Sequence, residues 1–187
     1  MRVNTRFKSI LAIIALAAVL FSCAEKMGNS MTPTPQPQPT PNNPGNTSEG
    51  VVAPAFTLTS LTGGDVSLSE FNNKVVVLFF FGNSCPTCKA VAPSVETELR
   101  LPFDGNDDYQ LLGLDQWDGT AASVEGFKSS TKVTFPLLLK ASAVAAEYKT
   151  TYDRLIVINK EGKIVFAGKQ NGAADLKAAR NKVNEVL

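Results

Sequence analysis

Seven apolar residues in a row, Val75 to Phe81 (VVVLFFF), constrain this chain more than any other feature. A strand with one wet face alternates apolar and polar residues. An unbroken run of this length fits a strand covered on both faces, hence a central strand between layers of helix. The run closes at Gly82, Asn83 and Ser84, turn formers of which the last two can also cap a helix. Pro86 follows at a first-turn position, where its missing N–H costs no hydrogen bond. Cys85 and Cys88 are thereby set where a helix begins.

The remainder of the chain bounds what those thiols can do. With 187 residues, 44% of them hydrophobic and 19% charged, it can build one ordinary domain with a real core, and two would be crowded. It contains no histidine, which excludes Ser-His and Cys-His nucleophile pairs, imidazole metal ligands and a histidine pH switch. The formal charge of +1 becomes −2 once Arg2, Arg6 and Lys8 are removed with the leader described next, so no basic field attracts nucleic acid.

Residues 1–22 read as a secretory signal: a basic start, then the apolar run Ile10 to Phe21. Twelve residues make roughly 18 Å of helix, well short of the roughly 30 Å hydrocarbon core of a bilayer. The run ends in Leu20, Phe21, Ser22 and Cys23, which resembles a bacterial lipobox and makes Cys23 the expected lipid attachment site. The alternative is an ordinary signal peptide followed by an incidental or intermolecular cysteine. Residues 23–50 form the lipidated cysteine and a spacer. Prolines at 33, 35, 37, 39, 41 and 44 among polar residues favour extended polyproline II and cannot bury a core. From Pro33 to Pro44 that spacer reaches on the order of 35 Å.

Residues 51–187 are expected to form the folded domain. Phe56 and Leu58, then Val66 and Leu68, alternate around Gly63 and Gly64, which predicts a short hairpin. Val91, Val95 and Leu99 set one helical face inward, with Pro93 interrupting that helix. Tyr109 to Leu114 reads as a second buried strand, Ala121 to Ser130 as a helix, and Phe135 to Leu139 as a short apolar run. Ser142 is expected to cap a helix reaching Tyr148, and Leu155 to Ile158 to pair through the Lys160–Lys163 turn with Ile164 to Ala167. Ala173 to Leu187 closes the chain as a helix with Leu176, Ala179, Val183 and Val186 inward. The order implies an α/β fold, a mixed sheet flanked by helices on both faces and preceded by a hairpin.

The run from Phe56 to Pro93, FTLTSLTGGDVSLSEFNNKVVVLFFFGNSCPTCKAVAP, resembles the start of a thioredoxin-like domain of the TlpA/ResA or redoxin type. Pro93, five residues beyond Cys88, matches the helix-kinking proline of thioredoxins, and INKEGKIVFAG resembles their closing hairpin. The resemblance covers residues 53 to 187 and implies a membrane-anchored thiol:disulfide oxidoreductase with no cofactor and no metal. Its expected partners are protein thiols and disulfides of a bacterial cell envelope, most simply on the periplasmic side, and an unidentified redox partner.

In that reading Cys85 is the nucleophile, the more exposed thiol at a helix N-terminus, where unpaired N–H groups favour thiolate over thiol. Cys88, about one turn on, resolves the mixed disulfide and closes a redox-active Cys85–Cys88 bridge. Pro86 and Thr87 occupy the dipeptide that tunes the reduction potential in the resembled family, and Lys89 reads as a solvated helix residue. A haem attachment would need histidine in place of Lys89. A zinc site would need more than two thiols, and a structural bridge across so short a loop would stabilise little.

Two positions depart from the family. Ser84 stands where thioredoxins usually have tryptophan, which predicts a smaller apolar surface beside the nucleophile. Where the family has a cis-proline facing the cysteines, this chain has Asp153, preceded by Tyr152. A non-proline cis bond costs about 3 kcal/mol, so a trans peptide is expected there. Asp153 reads as a tolerated loop residue. The alternative is a carboxylate that faces the thiols, slowing attack by like charge or relaying a proton to Cys88. Two other functions are open: a thioredoxin-fold binding module with weakened turnover, and a thiol peroxidase. The peroxidase signature P-x-x-x-T-x-x-C, ended at Cys85, fails at Leu78 and Gly82.

Overall fold

The computed structural model describes residues 49–187; the expected leader, Cys23 and nearly all of the proline-rich spacer lie outside the described residues. A hairpin of β1 (Thr57–Thr59) and β2 (Asp65–Ser67) comes first, paired antiparallel with Leu58 opposite Val66. Its continuation bonds to the main sheet, where Leu61 N–H donates to the Leu137 carbonyl and Leu139 N–H to that of Thr59.

The apolar run forms β3 (Val75–Phe81), buried at every position, followed by α1 (Pro86–Val95), β4 (Tyr109–Asp115) and α2 (Ala121–Thr131). After these come β5 (Leu137–Leu138), α3 (Ser142–Glu147), β6 (Arg154–Ile158), β7 (Ile164–Ala167) and α4 (Gly172–Val186). The five strands from β3 to β7 form one sheet in the order β5-β4-β3-β6-β7. The β3–β4 and β4–β5 pairs are parallel, while β3–β6 and β6–β7 are antiparallel. The expected mixed sheet is present, with β3 at its centre.

The pleat of β3 divides the core. Val75, Val77, Phe79 and Phe81 point to one side, with Val91 and Val95 of α1, Val124 and Phe127 of α2, and Leu176, Ala179 and Val183 of α4. Val76, Leu78 and Phe80 point to the other, with Phe56 and with Val144, Ala145 and Tyr148 around α3. Strand period two puts consecutive residues on opposite faces, so a run apolar at every position serves both layers. The parallel register pairs Phe81 with Asp115, so the ends of β3 and β4 lie side by side and their following loops meet.

Local details correct two capping expectations. Cys85 itself, not Asn83 or Ser84, is the N-cap of α1, with Pro86 inside the first turn. Ser142 does not cap α3 with its own side chain; its N–H and hydroxyl both donate to the Asp118 carboxylate. Pro93 lies inside α1, where it removes the donor for the Lys89 carbonyl. Three residues later the helix widens into a π-type turn over Glu96–Arg100. Among the described residues no helix is long and apolar enough to cross a membrane.

Candidate active site

The end of β3 delivers the two thiols to the mouth of α1. Cys85 has the extended backbone of an N-cap (φ −65°, ψ 120°), and its Sγ accepts the Cys88 backbone N–H at 3.2 Å. A cap normally offers an oxygen to that orphan N–H. Here a sulfur does so, and the donor stabilises negative charge that develops on it. The Thr87 hydroxyl lies 3.1 Å from the same sulfur. Cys88 is fully buried, and its Sγ accepts the Gly82 N–H at 3.5 Å. The two cysteines are free thiols.

The expected difference in exposure is small: Cys85 retains only 2% of its surface, Cys88 none. Their environments differ more. Burial pushes the Cys88 thiol up to about 12, helped by its hydrogen bond to Cys85 and by the charges of Cys85 and Asp153, against the opposing Gly82 N–H. The resolving thiol therefore keeps its proton at neutral pH.

Because the folded thiol titrates above its ordinary value of 9.0, this group's stabilising contribution is complete below about pH 9. It is lost as the pH climbs toward about 12, because the unfolded thiol releases its proton first. Reduced wild-type protein is expected to lose stability over that window more steeply than reduced Cys88→Ala, measured by urea unfolding at a series of alkaline pH values. Equal slopes would refute the assignment.

Around the dithiol the structure adds residues that the sequence reading did not single out. Asp115, completely buried at the end of β4, accepts five N–H contacts from four nitrogen donors. They come from the Asn83 backbone (3.2 Å) and side chain (3.1 Å to each oxygen), Trp117 (3.3 Å) and Gly119 (2.8 Å). One carboxylate thus ties the turn before Cys85 to the loop after β4. Within that loop Trp117 folds over Gly82, where any Cβ would run into the indole ring. Its ring meets Tyr152 edge-on, with centroids 5.1 Å apart and planes at 77°. Trp117 remains 42% exposed. The apolar surface expected to shrink at Ser84 is supplied instead by Trp117 and Tyr152, from two other loops.

Asp153 is a buried loop residue, at 9% exposure. Its Oδ1 accepts the Gly172 N–H of α4 at 3.1 Å. Burial raises its pKa, with the Asp175 carboxylate adding to the rise and the Gly172 N–H opposing it. The described residues contain no cis peptide bond, as expected for Tyr152–Asp153, and Asp153 takes φ +59°. Aspartate visits that left-handed region at modest cost. Proline, fixed near −65°, cannot, so one substitution does not restore the family's proline here. Pro86 and Thr87 are exposed on the first turn of α1. Among the described residues no group of three or more histidine, cysteine or carboxylate side chains could hold a metal ion.

Residues 50–167 match the AhpC/TSA family. Thioredoxin-like protein YneN of Bacillus subtilis is 26% identical over 117 residues, 62% of this chain and 68% of that one. The thiol-disulfide oxidoreductase ResA of the same organism is 28% identical over 123 residues, which span 63% of this chain and 65% of ResA, just under two thirds. A solution structure of a candidate protein disulfide isomerase from Bacteroides thetaiotaomicron superposes with a TM-score of 0.68 at 32% identity, covering 75% of this chain and 90% of that one. The chain belongs to the AhpC/TSA family, with the thioredoxin fold of the thiol-disulfide oxidoreductases that it matches.

Proposed function

We propose that this thioredoxin-fold oxidoreductase exchanges disulfides with proteins of a bacterial cell envelope through Cys85 and Cys88, without a bound cofactor, from a lipid anchor at Cys23. The observation that carries the reading is the sulfur of Cys85 acting as the N-cap of α1, with Cys88 N–H at 3.2 Å. A thiolate attacks disulfides and a thiol does not. This cap donates to the attacking sulfur, while Cys88 stays protonated until the mixed disulfide forms. Cys85 attacks one sulfur of the substrate bridge and expels the other as a thiolate. Cys88 then attacks Cys85, closing the protein disulfide and releasing the substrate's second sulfur. Two electrons pass to the substrate and both cysteine protons end on its thiols. Run backwards, the same steps oxidise a partner, and the potential of the Cys85–Cys88 couple decides the direction.

The purified reduced protein is expected to reduce insulin and to exchange with oxidised glutathione. A chain inert toward glutathione, dithiothreitol and a protein substrate would be a binding module, the second reading that the near-complete burial of Cys85 favours. The anchor is tested separately: labelled palmitate is expected on wild type expressed in a bacterium and absent from Cys23→Ser. Equal labelling of both would remove that part of the reading.

A further inference from the structure

Among the described residues one large apolar side chain stands exposed at the dithiol end of the sheet: Trp117, 42% exposed. The other exposed ones lie at the opposite end, Val51 and Val52 beside the Lys163–Ile164 start of β7 and Leu101 past the far end of α1. The indole is displayed from a braced loop. Gln116 N–H donates to the Phe81 carbonyl at 3.0 Å, Gln116 Nε2 to Thr151 Oγ1 at 3.2 Å, and the Trp117 N–H to Asp115 at 3.3 Å. Indole atoms Cδ2, Cε2 and Cε3 lie over Gly82, and Tyr152 meets the ring edge-on. Gly82 is bonded to both cysteines: its carbonyl accepts the Cys85 N–H at 3.0 Å, and its N–H donates to Cys88 Sγ at 3.5 Å. The aromatic pair thus borders the turn that carries the attacking sulfur.

We propose that Trp117, with Tyr152 beside it, determines specificity by taking a large apolar side chain next to the reacting cysteine of a polypeptide substrate. The proposal rests on the disulfide-exchange reading above and names the substrate class for that site: peptide segments in which the cysteine has large apolar neighbours.

Three observations favour that occupant. A rigid aromatic ring offers a large contact area at little cost in side-chain entropy, and the bracing of this loop has already met the cost of ordering it. Neither the indole Nε1–H nor the Tyr152 hydroxyl has a hydrogen-bond partner among the described residues, so both are open to a peptide carbonyl. The alternative guest of an aromatic face is a cation, and the charges around this one disfavour it. Asp115 and Asp153 are buried on N–H donors, Asp118 accepts both donors of Ser142, and the nearby Arg154 donates to the Lys149 carbonyl, which keeps two cations close to Tyr152.

The test uses disulfide dimers of capped tripeptides in which cysteine is flanked on both sides by phenylalanine, arginine or glycine. Second-order rates are measured with reduced wild type, Trp117→Ala, Trp117→Phe and Tyr152→Ala, each checked for folding by circular dichroism. Every rate is divided by that of the same peptide with dithiothreitol, which removes differences in leaving-group reactivity. The phenylalanine-to-glycine ratio is taken within each variant, so a general loss of activity cancels. Wild type is expected to prefer the phenylalanine peptide about five- to tenfold, the size of one aromatic contact. Trp117→Ala should bring the ratio close to one, Trp117→Phe should keep most of it, and Tyr152→Ala should lower it in part.

A second readout needs no change at Trp117. In Cys88→Ser one peptide half stays on Cys85 as a mixed disulfide and the other leaves as a thiol, and the emission of Trp117, the chain's single tryptophan, reports the adduct. It should shift to the blue with the phenylalanine peptide and stay in place with the glycine peptide. Equal rates for those two peptides in wild type, a fastest reaction with the arginine peptide, an unchanged ratio in Trp117→Ala or an unshifted phenylalanine adduct would each overturn the proposal. Should Trp117→Ala not fold, the adduct emission decides alone. No reaction of wild type with any of the peptides or with oxidised glutathione would instead defeat the disulfide-exchange reading, so the two failures are distinguishable.

Discussion

Cys85→Ser is expected to reduce disulfide exchange to the rate of buffer alone, whereas Cys88→Ser keeps the first step and stops at the second. The asymmetry follows from where α1 puts its orphan donors. The Cys88 N–H points at Cys85 Sγ at 3.2 Å, so that sulfur is the one prepared to carry charge. A hydroxyl in its place is a far poorer nucleophile and leaves nothing to form the mixed disulfide. Cys88 is fully buried beneath it, and its pKa is pushed up to about 12, first of all by burial. Without that thiol the adduct on Cys85 has no internal route to release. Mass spectrometry of Cys88→Ser after exposure to oxidised glutathione should therefore show one glutathione retained on Cys85. Accumulation on Cys88 in Cys85→Ser instead, or unaltered turnover in either variant, would reverse the assignment of roles.

Asp115→Ala is expected to be the most destabilising exchange of a single polar side chain near the site, by on the order of 4 kcal/mol. Each buried donor left without a partner costs about 1–3 kcal/mol. Four nitrogen donors converge on this one carboxylate, two from Asn83 and one each from Trp117 and Gly119. The loss reaches the chemistry because Asn83 belongs to the turn that sets Cys85, and Trp117 covers Gly82, whose N–H donates to Cys88 Sγ. Trp117 is the chain's single tryptophan, so its emission reports this loop directly. Urea unfolding should show the lowered midpoint, and Trp117 emission should already be red-shifted in the folded variant. A loss below about 1 kcal/mol with unchanged emission would mean that water replaces the carboxylate without consequence.

The parts of the fold legible in the sequence are those decided within a few residues. The apolar run could only be a strand buried on both faces, and β3 is that strand, with a different half of the core on each side. The turn, Pro86 and the two cysteines similarly announced the start of a helix. Asp115 was not legible, because its partner Asn83 is 32 residues away in the chain. Only the β3–β4 register, which sets Asp115 beside Phe81, brings them together. One signal was available: a charged residue ending an apolar strand needs donors, and a glycine four residues on supplies one. Trp117 escaped for a related reason. Its place over Gly82 depends on two loops meeting, so Ser84 alone suggested a poorer surface than the one present. The resemblance to the family places Asp153 at the proline position, but its burial against Gly172 of α4 depends on how that helix returns to the sheet.

The central claim is that Cys85 and Cys88 form a redox couple that turns over and not a permanent bridge. Equilibrating the protein in glutathione or dithiothreitol buffers of graded potential, then trapping free thiols by alkylation and counting them by mass, tests this most directly. The account predicts a single reversible two-electron transition, about 30 mV per tenfold change in the ratio, with a midpoint between roughly −270 and −120 mV. Two thiols that never oxidise together, or a bridge that resists reduction below about −300 mV as structural disulfides do, would contradict it.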